Sequence, residues 1–413
     1  MSDSGKPPFL SYGRQQISEE DIAAVTDCLR SDWLTQGPRV EAFEAALSER
    51  LGGAEIIVCG SGTAALHLAT MAAGLGPETV AIVPAMTFVA TANAVRMTGA
   101  EVAFCDVDPK TGLMREQDLA ACIETLPRRF PGLRPTVVLP VHLNGQTVDL
   151  TTVAPVARAA EMTIVEDACH ALGAEYYAAE LSDWVTVGAC TESLAACFSF
   201  HPVKSIATGE GGAVALRDSF LAKRIRRLRN HGLVREEGAS APDFLAGLGL
   251  GAGYAGAYQM SEIGFNYRLT DLQCALGTSQ LARLDQFIEQ RRALAASYDA
   301  HMGALESYAQ PISWSDDCRP SYHLYPILLT PEFAPIRGQI MTALRDAGIG
   351  TQVHYIPVHR QPYYVERYGL SDLPGGDSYF CRVLSLPIFV DMQAEDIERV
   401  IAALVQVLGE TAA

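Results

Sequence analysis

The sequence predicts an α/β protein: a large domain built on a mostly parallel sheet, followed by a smaller α+β domain at the C-terminus. Three observations predict this fold. The chain has 413 residues, enough for two or three domains at roughly 100–200 residues each. Short runs that are apolar on both faces alternate with helical stretches, which is typical of a parallel sheet covered by helices on both sides. A long helical pattern then precedes a C-terminal segment with an alternating strand and two further helices, which indicates a second, smaller domain.

Residues 1–30 are predicted to form an arm and one helix. Pro7–Gln16 is proline-rich and polar, which indicates an arm rather than a core segment. Ser18 and Asp21 have the spacing of a capping box that starts a helix from about Ile22 to Arg30. A short loop separates this helix from a second one, Arg39–Arg50.

Residues 31–262 are predicted to form the large domain. Five apolar runs have the length of strands: Glu55–Cys59, Thr79–Val83, Glu101–Cys105, Thr136–Val141 and Met162–Val165. Helical stretches lie at Thr63–Ala73 and Ala90–Thr98. A strand at Ala213–Leu216 precedes a basic helix at Phe220–Arg229. The Gly- and Ala-rich segment Val234–Tyr258 has little periodicity and is predicted to be a surface loop.

Residues 263–413 are predicted to form a bridging helix and the small domain. The helix runs from Asp271 to about Ala300, and an alternating strand follows at Tyr322–Leu329. Helices are predicted at Ile336–Ala347 and Ala394–Leu408.

Composition excludes several classes of function. The net charge is −17, which disfavours nucleic acids and anionic membrane surfaces because both need cationic contacts. No apolar stretch reaches the ~20 residues that a transmembrane helix needs. The polar N-terminus lacks the apolar core of a signal peptide, and ten scattered cysteines are unlike a secreted disulfide framework. We therefore expect a cytoplasmic protein with reduced thiols.

The first motif with chemical meaning is Ile164-Val-Glu-Asp-Ala-Cys-His170. In a parallel sheet, ligands bind beyond the carboxyl ends of the strands, which is where Glu166 and Asp167 fall. An acid there can bind a metal, take a proton or hold a cationic heterocycle. An acid that only caps the next helix fits the pattern equally well.

The second motif is Cys197-Phe-Ser-Phe-His-Pro-Val-Lys204, followed by the turn Gly209-Glu-Gly-Gly212. A lysine after an aromatic-rich run fits a partly buried amine, whose lowered pKa makes it nucleophilic. Taken alone, a surface lysine with a buried stem is the more common case.

The third motif, Cys59-Gly-Ser-Gly-Thr-Ala-Ala-Leu66, reads as strand, tight turn and helix. This arrangement directs free backbone N–H groups at a phosphate, although simple helix capping uses the same residue types. It lacks the glycine spacing of dinucleotide and Walker A sites. Together the three motifs indicate a ligand with a phosphate, a ring nitrogen that attracts an anion and an aldehyde that attracts an amine. Pyridoxal 5′-phosphate (PLP) has all three.

The sequence also resembles the DegT/StrS family of PLP-dependent nucleotide-sugar aminotransferases, along nearly the whole chain. The resemblance is carried by nine collinear segments: Tyr12–Gln15, Ser31–Pro38, Ser61–Leu66, Thr87–Thr91, Glu166–His170, Ser199–Lys204, Arg229–Gly232, Gly264–Leu269 and Thr351–His359. It implies PLP-dependent transferase fold type I, the aspartate aminotransferase-like fold. Leu143 and Asn144 stand where relatives usually carry an aromatic and a small residue.

The resemblance implies a role for each matching residue. Lys204 would bind PLP covalently, Asp167 would pair with the pyridinium nitrogen, and His170 would lie near the phenolic oxygen of the cofactor; these three are the catalytic candidates. Phe88 would stack on the ring. Phosphate contacts are expected from Ser61, Gly62, Thr63 and Ser199, and from Asn266 of a neighbouring subunit. Substrate contacts are expected from Tyr12, Leu34, Thr35, Gln36, Gly37, His354, Tyr355, Ile356 and Pro357.

Within the family, the resemblance is greatest to enzymes of pseudaminic acid biosynthesis. It implies transfer of the amino group of L-glutamate to C4 of a UDP-2-acetamido-2,6-dideoxy-hex-4-ulose, giving UDP-4-amino-4,6-dideoxy-N-acetyl-β-L-altrosamine. It also implies a homodimer with shared active sites. The alternatives are another nucleotide-sugar 4-aminotransferase, of the perosamine or bacillosamine type, and a catalytically silent PLP-binding regulatory homologue. No metal site is expected, since His354 and His359 are separated by Pro357 and no HxxxH pair lies on a helix.

Overall fold

The computed structural model of the protein describes residues 8–234 and 258–412. The helices in these ranges are α1 (Glu19–Leu29), α2 (Pro38–Arg50), α3 (Gly62–Ala72), α4 (Val89–Met97), α5 (Glu116–Arg129), α6 (Leu150–Ala159), α7 (Ser219–Arg229), α8 (Asp271–Leu281), α9 (Leu284–His301), α10 (Arg337–Asp346), α11 (Pro362–Tyr368), α12 (Pro374–Arg382) and α13 (Ala394–Ala412).

The strands in the same ranges are β1 (Glu55–Cys59), β2 (Thr79–Pro84), β3 (Glu101–Cys105), β4 (Arg134–Val138), β5 (Thr163–Asp167), β6 (Glu175–Ala178), β7 (Asp183–Thr186), β8 (Ala195–Ser199), β9 (Gly212–Leu216), β10 (Leu233–Val234), β11 (Gln259–Met260), β12 (Ala309–Pro311), β13 (Cys318–Arg319), β14 (Tyr325–Leu329) and β15 (Val383–Leu386). Short 3₁₀ turns lie at Leu143–Gly145, Met302–Leu305, Ala334–Ile336 and Val358–Arg360.

A seven-stranded sheet in the order β1-β9-β8-β5-β4-β2-β3 organises the first half of the molecule. The strands from β8 to β3 pair in parallel. Strand β9 runs antiparallel to both of its neighbours. The predicted mostly parallel sheet is therefore confirmed, with one reversed strand near its edge.

The two faces of this sheet are buried against different helices. Because side chains alternate along a strand, Ile56 and Val58 of β1 face one apolar cluster and Ile57 and Cys59 face another. The first cluster contains residues from α2, α5 and α6, and the second contains residues from α3, α4 and α7. Burial on both faces explains why the strands read as continuous apolar runs in the sequence.

A second apolar core lies in the C-terminal part of the chain. The antiparallel sheet β12-β14-β15 shares this core with helices α9, α10 and α13. Leu10 of the N-terminal arm is buried in the same cluster. Its N–H donates to the carbonyl of Gly348, and its own carbonyl accepts from Gly350. The arm, which the sequence predicts to lie outside the core, is thus partly a core element.

Several predicted boundaries differ from the structure. The single helix from Asp271 to about Ala300 is wrong, because α8 ends at Leu281 and α9 begins at Leu284. Arg283, at the break, bonds with Gln16 and Asp21 of the N-terminal segment. No glycine or proline marks this position, so the tertiary contacts rather than the local sequence set the break.

Other differences are smaller. The strand expected at Thr136–Val141 spans Arg134–Val138, and the antiparallel sheet β13-β6-β7 was not predicted. The predicted surface loop Val234–Tyr258 falls, from 235 to 257, outside the described residues, and β10 pairs with β11 across it. The limits of the three predicted segments, 1–30, 31–262 and 263–413, stay predictions. None of the helices in the described ranges is long and apolar enough to cross a membrane.

Asp21 is a buried carboxylate that ties α1 to α8. The predicted capping box at Ser18 is present, and the same carboxylate accepts from Ser279 Oγ at 2.6 Å and from Gln280 Nε2 at 2.6 Å. Burial acts to raise the pKa of Asp21, but these hydrogen bonds and the Arg283 guanidinium outweigh it and hold the pKa below its ordinary value.

Replacing Asp21 with Asn should therefore destabilise the protein at neutral pH, by about 3 kcal/mol, because Arg283 and its neighbours lose a buried anion. The folded-state pKa is lowered, so this contribution is present above about pH 4 and is lost as the pH falls further. Urea unfolding of wild type and Asp21→Asn at several pH values measures the difference. Asp27→Asn, an exposed site on the same helix, is the control. Equal stability of Asp21→Asn and wild type at pH 7 would contradict the assignment.

Candidate active site

A cavity of about 610 Å³ lies at the carboxyl ends of β5 and β8, beside the N-terminus of α3. This is the edge of a parallel sheet at which ligands bind in open α/β folds. All three sequence motifs reach it, through Ser61, Asp167 and Lys204. The topology therefore joins residues that are separated by more than a hundred positions in the chain.

Asp167, rather than Glu166, faces the cavity. Successive side chains of a strand point to opposite faces, so Glu166 is directed away, where it bonds with His142 Nε2 at 2.8 Å and with Ser193 Oγ. The choice between the two acids that the sequence left open is thereby resolved. Glu166 is a structural group behind the site, and Asp167 is the acid available to a ligand.

The Asp167 carboxylate is buried and held by two donors. Oδ2 accepts from the hydroxyl of Thr91 at 2.6 Å, and Oδ1 accepts from the backbone N–H of Cys169 at 3.2 Å. Hydrogen bonds to the charged form of a carboxylate favour that form. The site therefore holds the Asp167 carboxyl group in a fixed position at the cavity wall.

The N-terminus of α3 supplies donors for an anion. Ser61 is the N-cap, and its Oγ accepts from Ala64 N at 3.1 Å, which leaves the hydroxyl hydrogen free for a ligand. The N–H groups of Gly62 and Thr63, in the first turn, have no acceptor within their own helix. Such a terminus binds phosphate through these N–H groups and the helix dipole.

Gly62 shapes this anion cradle. A Cβ at this position would lie 2.8 Å from Cβ of Ser199 and 3.1 Å from Sγ of Cys169. The close approach lets Ser199, at the end of β8, stand beside the helix N-terminus, and both residues line the cavity. A side chain at position 62 would occupy the space between them.

Lys204 is half-buried and lines the cavity. Burial lowers the pKa of its amine, and the nearby Cys169 and Asp167 offset this only in part. A lowered pKa increases the neutral, nucleophilic fraction of an amine near pH 7. The alternative of an ordinary surface lysine does not fit this placement.

His170 is a buried, neutral imidazole. Its Nδ1 accepts from the backbone N–H of Asn144 at 3.3 Å, so the ring proton belongs on Nε2, which lies 3.1 Å from the hydroxyl of Tyr355. Burial and the nearby Lys204 keep the pKa of His170 well below its ordinary value. Nε2 therefore donates to Tyr355 Oη, and the hydroxyl hydrogen of Tyr355 is free for a ligand.

The remaining wall is aromatic. The ring of Phe88 is 54% exposed and lies 5.6 Å from the ring of Tyr355, centroid to centroid. Tyr12 lies 5.6 Å from His354 in the same way. Burial, together with Lys204, lowers the pKa of His354 to about 3, and its Nδ1 contacts Ser385 Oγ at 2.8 Å.

The structure brings together twelve of the predicted site residues around the cavity: Tyr12, Ser61, Gly62, Thr63, Phe88, Asp167, His170, Ser199, Lys204, His354, Tyr355 and Ile356. Six others do not line it in this single chain: Leu34, Thr35, Gln36, Gly37, Asn266 and Pro357. Gln36 and Gly37 line a smaller cavity of about 270 Å³, together with Asn230 and Arg268.

Sequence reasoning assigned no role to three residues that support the site. Thr91 holds Asp167, Asn144 fixes His170 through its backbone, and the buried His323 lies 4.3 Å from the His170 ring. A signal existed for Thr91, because polar residues interrupt the most apolar stretch of the chain at Thr87 and Thr91. The other two are adjacent to the site only in the folded chain.

The profile of the DegT/DnrJ/EryC1/StrS aminotransferase family matches residues 15–405. The chain belongs to this family. Over 400 residues it is 34% identical to the spore coat polysaccharide biosynthesis protein SpsC of Bacillus subtilis, covering 96% of each chain. It is also 34% identical, over 97% of this chain and 98% of the relative, to the UDP-4-amino-4,6-dideoxy-N-acetyl-β-L-altrosamine transaminase of Campylobacter jejuni.

Solved structures agree with this assignment. Helicobacter pylori PseC, an aminotransferase involved in the biosynthesis of pseudaminic acid, superposes with a TM-score of 0.85 at 27% identity over 97% of this chain and all of that one. Spr1654 of Streptococcus pneumoniae, described as a sugar aminotransferase and solved in its PMP form, gives a TM-score of 0.84 at 25% identity over 98% of this chain and all of that one. The predicted family, fold type I and PLP-dependent aminotransferase activity are confirmed.

The cavity fits PLP. The N–H groups at the start of α3 and the space that Gly62 leaves beside Ser199 match the phosphate of PLP. The Asp167 carboxyl group matches the ring nitrogen, and the amine of Lys204 matches the aldehyde. The donor set is thus complete within one chain, apart from the contact expected from Asn266.

Gly62→Ala should weaken PLP binding by about tenfold or more while leaving the fold intact, because the added methyl forces Ser199 or Cys169 to move. Titration of the apoenzyme with PLP, followed by absorbance, measures the dissociation constant. Gly338→Ala is the matched control, since Gly338 also lies in the first turn of a helix and has open space around its Cβ position. Equal affinities of Gly62→Ala and wild type would contradict a phosphate cradle at this place.

Proposed function

We propose that this sugar aminotransferase transfers the amino group of L-glutamate to C4 of a UDP-2-acetamido-2,6-dideoxy-hex-4-ulose, producing UDP-4-amino-4,6-dideoxy-N-acetyl-β-L-altrosamine for pseudaminic acid biosynthesis. The observation that carries the chemistry is the convergence of the Lys204 amine, the Asp167 carboxylate and the α3 N-terminus on one cavity. The similarity to the C. jejuni transaminase and to PseC supports the choice of sugar.

Each cavity residue has a distinct task in this proposal. When bound, PLP supplies an aldehyde that exchanges amines and a ring that accepts the electron pair released at a substrate carbon. Asp167 keeps the ring nitrogen cationic, and Ser61, Gly62, Thr63 and Ser199 hold the phosphate. Phe88 covers a face of the ring. Lys204 would hold the aldehyde carbon through its amine.

Lys204 Nζ also moves the proton. Its lowered pKa lets the neutral amine take the proton from the α-carbon of glutamate and, as the ammonium, deliver it to the cofactor side. In the second half-reaction the same atom moves the proton in the reverse sense, to C4 of the sugar. Base and acid are therefore one group, and each half-reaction returns it to its starting state.

His170 and Tyr355 orient a donor. The Nε2–H group of His170 donates a hydrogen bond to Tyr355 Oη. The hydroxyl of Tyr355 can therefore donate its own hydrogen to an oxygen of the cofactor or the sugar. Burial raises the pKa of Tyr355, so this hydroxyl stays protonated across the working pH range. The site thus offers a neutral donor at fixed orientation beside the reacting centre.

The proposal includes a homodimer with shared active sites. The loop Leu34–Gly37 and Asn266 are close to one another: Thr35 bridges to Thr270, and Asn266 bridges to Asn230 beside the smaller cavity. Both groups lie outside the Lys204 cavity of their own chain. That they cluster at a second place supports a contribution from one subunit to the site of the other.

A second candidate is a different nucleotide-sugar 4-aminotransferase. It is supported by the equal identity, 34%, to SpsC of B. subtilis, a protein of spore coat polysaccharide biosynthesis. Chemistry and site residues are the same in both candidates, and only the sugar nucleotide differs. The unpaired state of all ten cysteines supports the reducing cytoplasm as the location in either case.

Lys204→Ala should abolish covalent attachment of PLP after borohydride reduction, because no other lysine in the described ranges 8–234 and 258–412 lines the cavity. Mass spectrometry of tryptic peptides from wild type should place the reduced adduct on Lys204. Lys223→Ala, at an exposed lysine, should retain the adduct. An adduct mapped to another lysine in wild type would overturn the site.

With L-glutamate as donor, the enzyme should prefer the UDP-linked 4-keto sugar over dTDP- and GDP-linked ones. Product formation across such a panel, measured by mass spectrometry, gives the relative kcat/KM values. A preference for a dTDP or GDP sugar would remove the pseudaminic acid assignment and leave the aminotransferase in place. No turnover with any sugar, despite PLP on Lys204, would favour the silent homologue.

A further inference from the structure

Two buried threonines behind Asp167 form a hydrogen-bonded chain. Thr91 lies in the first turn of α4 and Thr87 lies just before its N-cap, Phe88; their hydroxyl oxygens are 2.6 Å apart. Thr91 Oγ1 is in turn 2.6 Å from Asp167 Oδ2. Neither threonine is more than 1% exposed.

The direction of the chain follows from the valence of each group. An ionised carboxylate only accepts, so the single hydroxyl hydrogen of Thr91 goes to Asp167. The remaining lone pairs of Thr91 Oγ1 then accept the hydrogen of Thr87. Each bond polarises the next, so the donor that reaches the carboxylate is stronger than an isolated hydroxyl.

We infer that Thr91 is a positioning residue for the cofactor ring: its hydroxyl fixes the Asp167 carboxylate in the orientation that holds the pyridinium, and Thr87 reinforces it. The inference rests on the proposed role of Asp167. With Thr91 on Oδ2 and the Cys169 N–H on Oδ1, both oxygens are anchored from the protein side. The lone pairs that remain are those available to a ligand in the cavity, which Asp167 lines.

The other side chains near Asp167 do not replace this bond. Burial raises the pKa of the Cys169 thiol well above its ordinary value, so the thiol stays neutral and is a weak donor, and its Sγ also lies 3.7 Å from the carbonyl oxygen of Cys197. Lys204, the nearest cation, faces the same cavity and is committed to the aldehyde, and Glu166 points to the opposite side of the strand. A buried carboxylate without donors takes up a proton or rotates. A protonated Asp167 would no longer stabilise a cationic ring nitrogen.

The test compares Thr91→Val, which removes the hydroxyl at constant shape, with Thr91→Ser, which keeps it. A hydrogen bond to a charged group predicts about tenfold to a hundredfold weaker PLP binding by the apoenzyme of Thr91→Val, and near wild-type binding for Thr91→Ser. The ¹⁵N chemical shift of bound PLP labelled at the ring nitrogen should move towards the unprotonated form in Thr91→Val alone. Thr87→Val should move both quantities in the same direction by less.

Two controls separate positioning from packing. Thr70→Val replaces an equally buried helical threonine whose hydroxyl bonds only to carbonyls of its own helix, and it should leave PLP binding unchanged. The carbocyclic analogue 1-deaza-PLP lacks the ring nitrogen, so wild type and Thr91→Val should bind it equally. A loss of affinity for both ligands, or an equal loss in Thr70→Val, would overturn the inference.

Asp167→Asn distinguishes this inference from the proposed function. If Asp167→Asn leaves the ¹⁵N shift unchanged, the assignment of Asp167 to the ring nitrogen is wrong. If Asp167→Asn shifts the signal and Thr91→Val does not, only the role of Thr91 fails. If Asp167→Asn and Thr91→Val each change the ¹⁵N shift, adding Thr91→Val to the Asp167→Asn variant should not change it further, because the effects of coupled residues are not additive.

Discussion

One buried negative charge sets the arrangement of the active site. Asp167 ends a strand with little access to water, and a carboxylate there is stable only if protein groups replace its solvation. Thr91 and the Cys169 backbone supply those bonds from behind. The open side of the carboxylate is left for a cation, and the amine of Lys204 and the N-terminus of α3 lie around the same space. A cofactor with a cationic ring, an aldehyde and a phosphate has one group to pair with each of these three protein groups.

Neutral imidazoles complement that single charge. His170, His323 and His354 are all buried near Lys204, and burial lowers the pKa of each. Had any of them been charged, it would compete with the pyridinium for Asp167 and repel the amine. The wall therefore provides hydrogen bonds and shape, while the ionised groups stay few and specific. Electrostatic preorganisation of this kind needs no rearrangement during turnover.

Much of the large domain could be predicted from sequence because its signals are local. Strands β1 and β3 match their apolar runs residue for residue, since both faces of the sheet are buried. The break at Arg283 could not be predicted, because it depends on the ion pair between Arg283 and Asp21, which lies more than two hundred residues earlier in the chain. The strands β6, β7 and β13 could not be predicted either, because they are half-exposed at several positions and too short to show an alternating apolar pattern.

The candidate site could likewise be predicted where its signals are local in the sequence. Lys204, Asp167 and the turn at Ser61 lie in motifs whose residue types predict a shared site, and the structure places all three around one cavity. Asn144 acts through its backbone N–H, which leaves no pattern in the sequence, and the signal at Thr91, a polar residue in an apolar stretch, did not reveal its bond to Asp167. The loop Leu34–Gly37 and Asn266 lie away from the Lys204 cavity of their own chain, as the proposed homodimer with shared active sites requires.

The attachment of Leu10 between Gly348 and Gly350 has a consequence for synthesis on the ribosome. The strands of the seven-stranded sheet are all translated by Leu216, whereas Ile388, whose N–H bonds the carbonyl of Tyr12, comes far later. At ~5–20 residues per second, the interval between them is roughly ten to thirty seconds. During that interval every strand of the seven-stranded sheet has been translated, whereas the bonding partner of Tyr12, a residue that lines the cavity, has not.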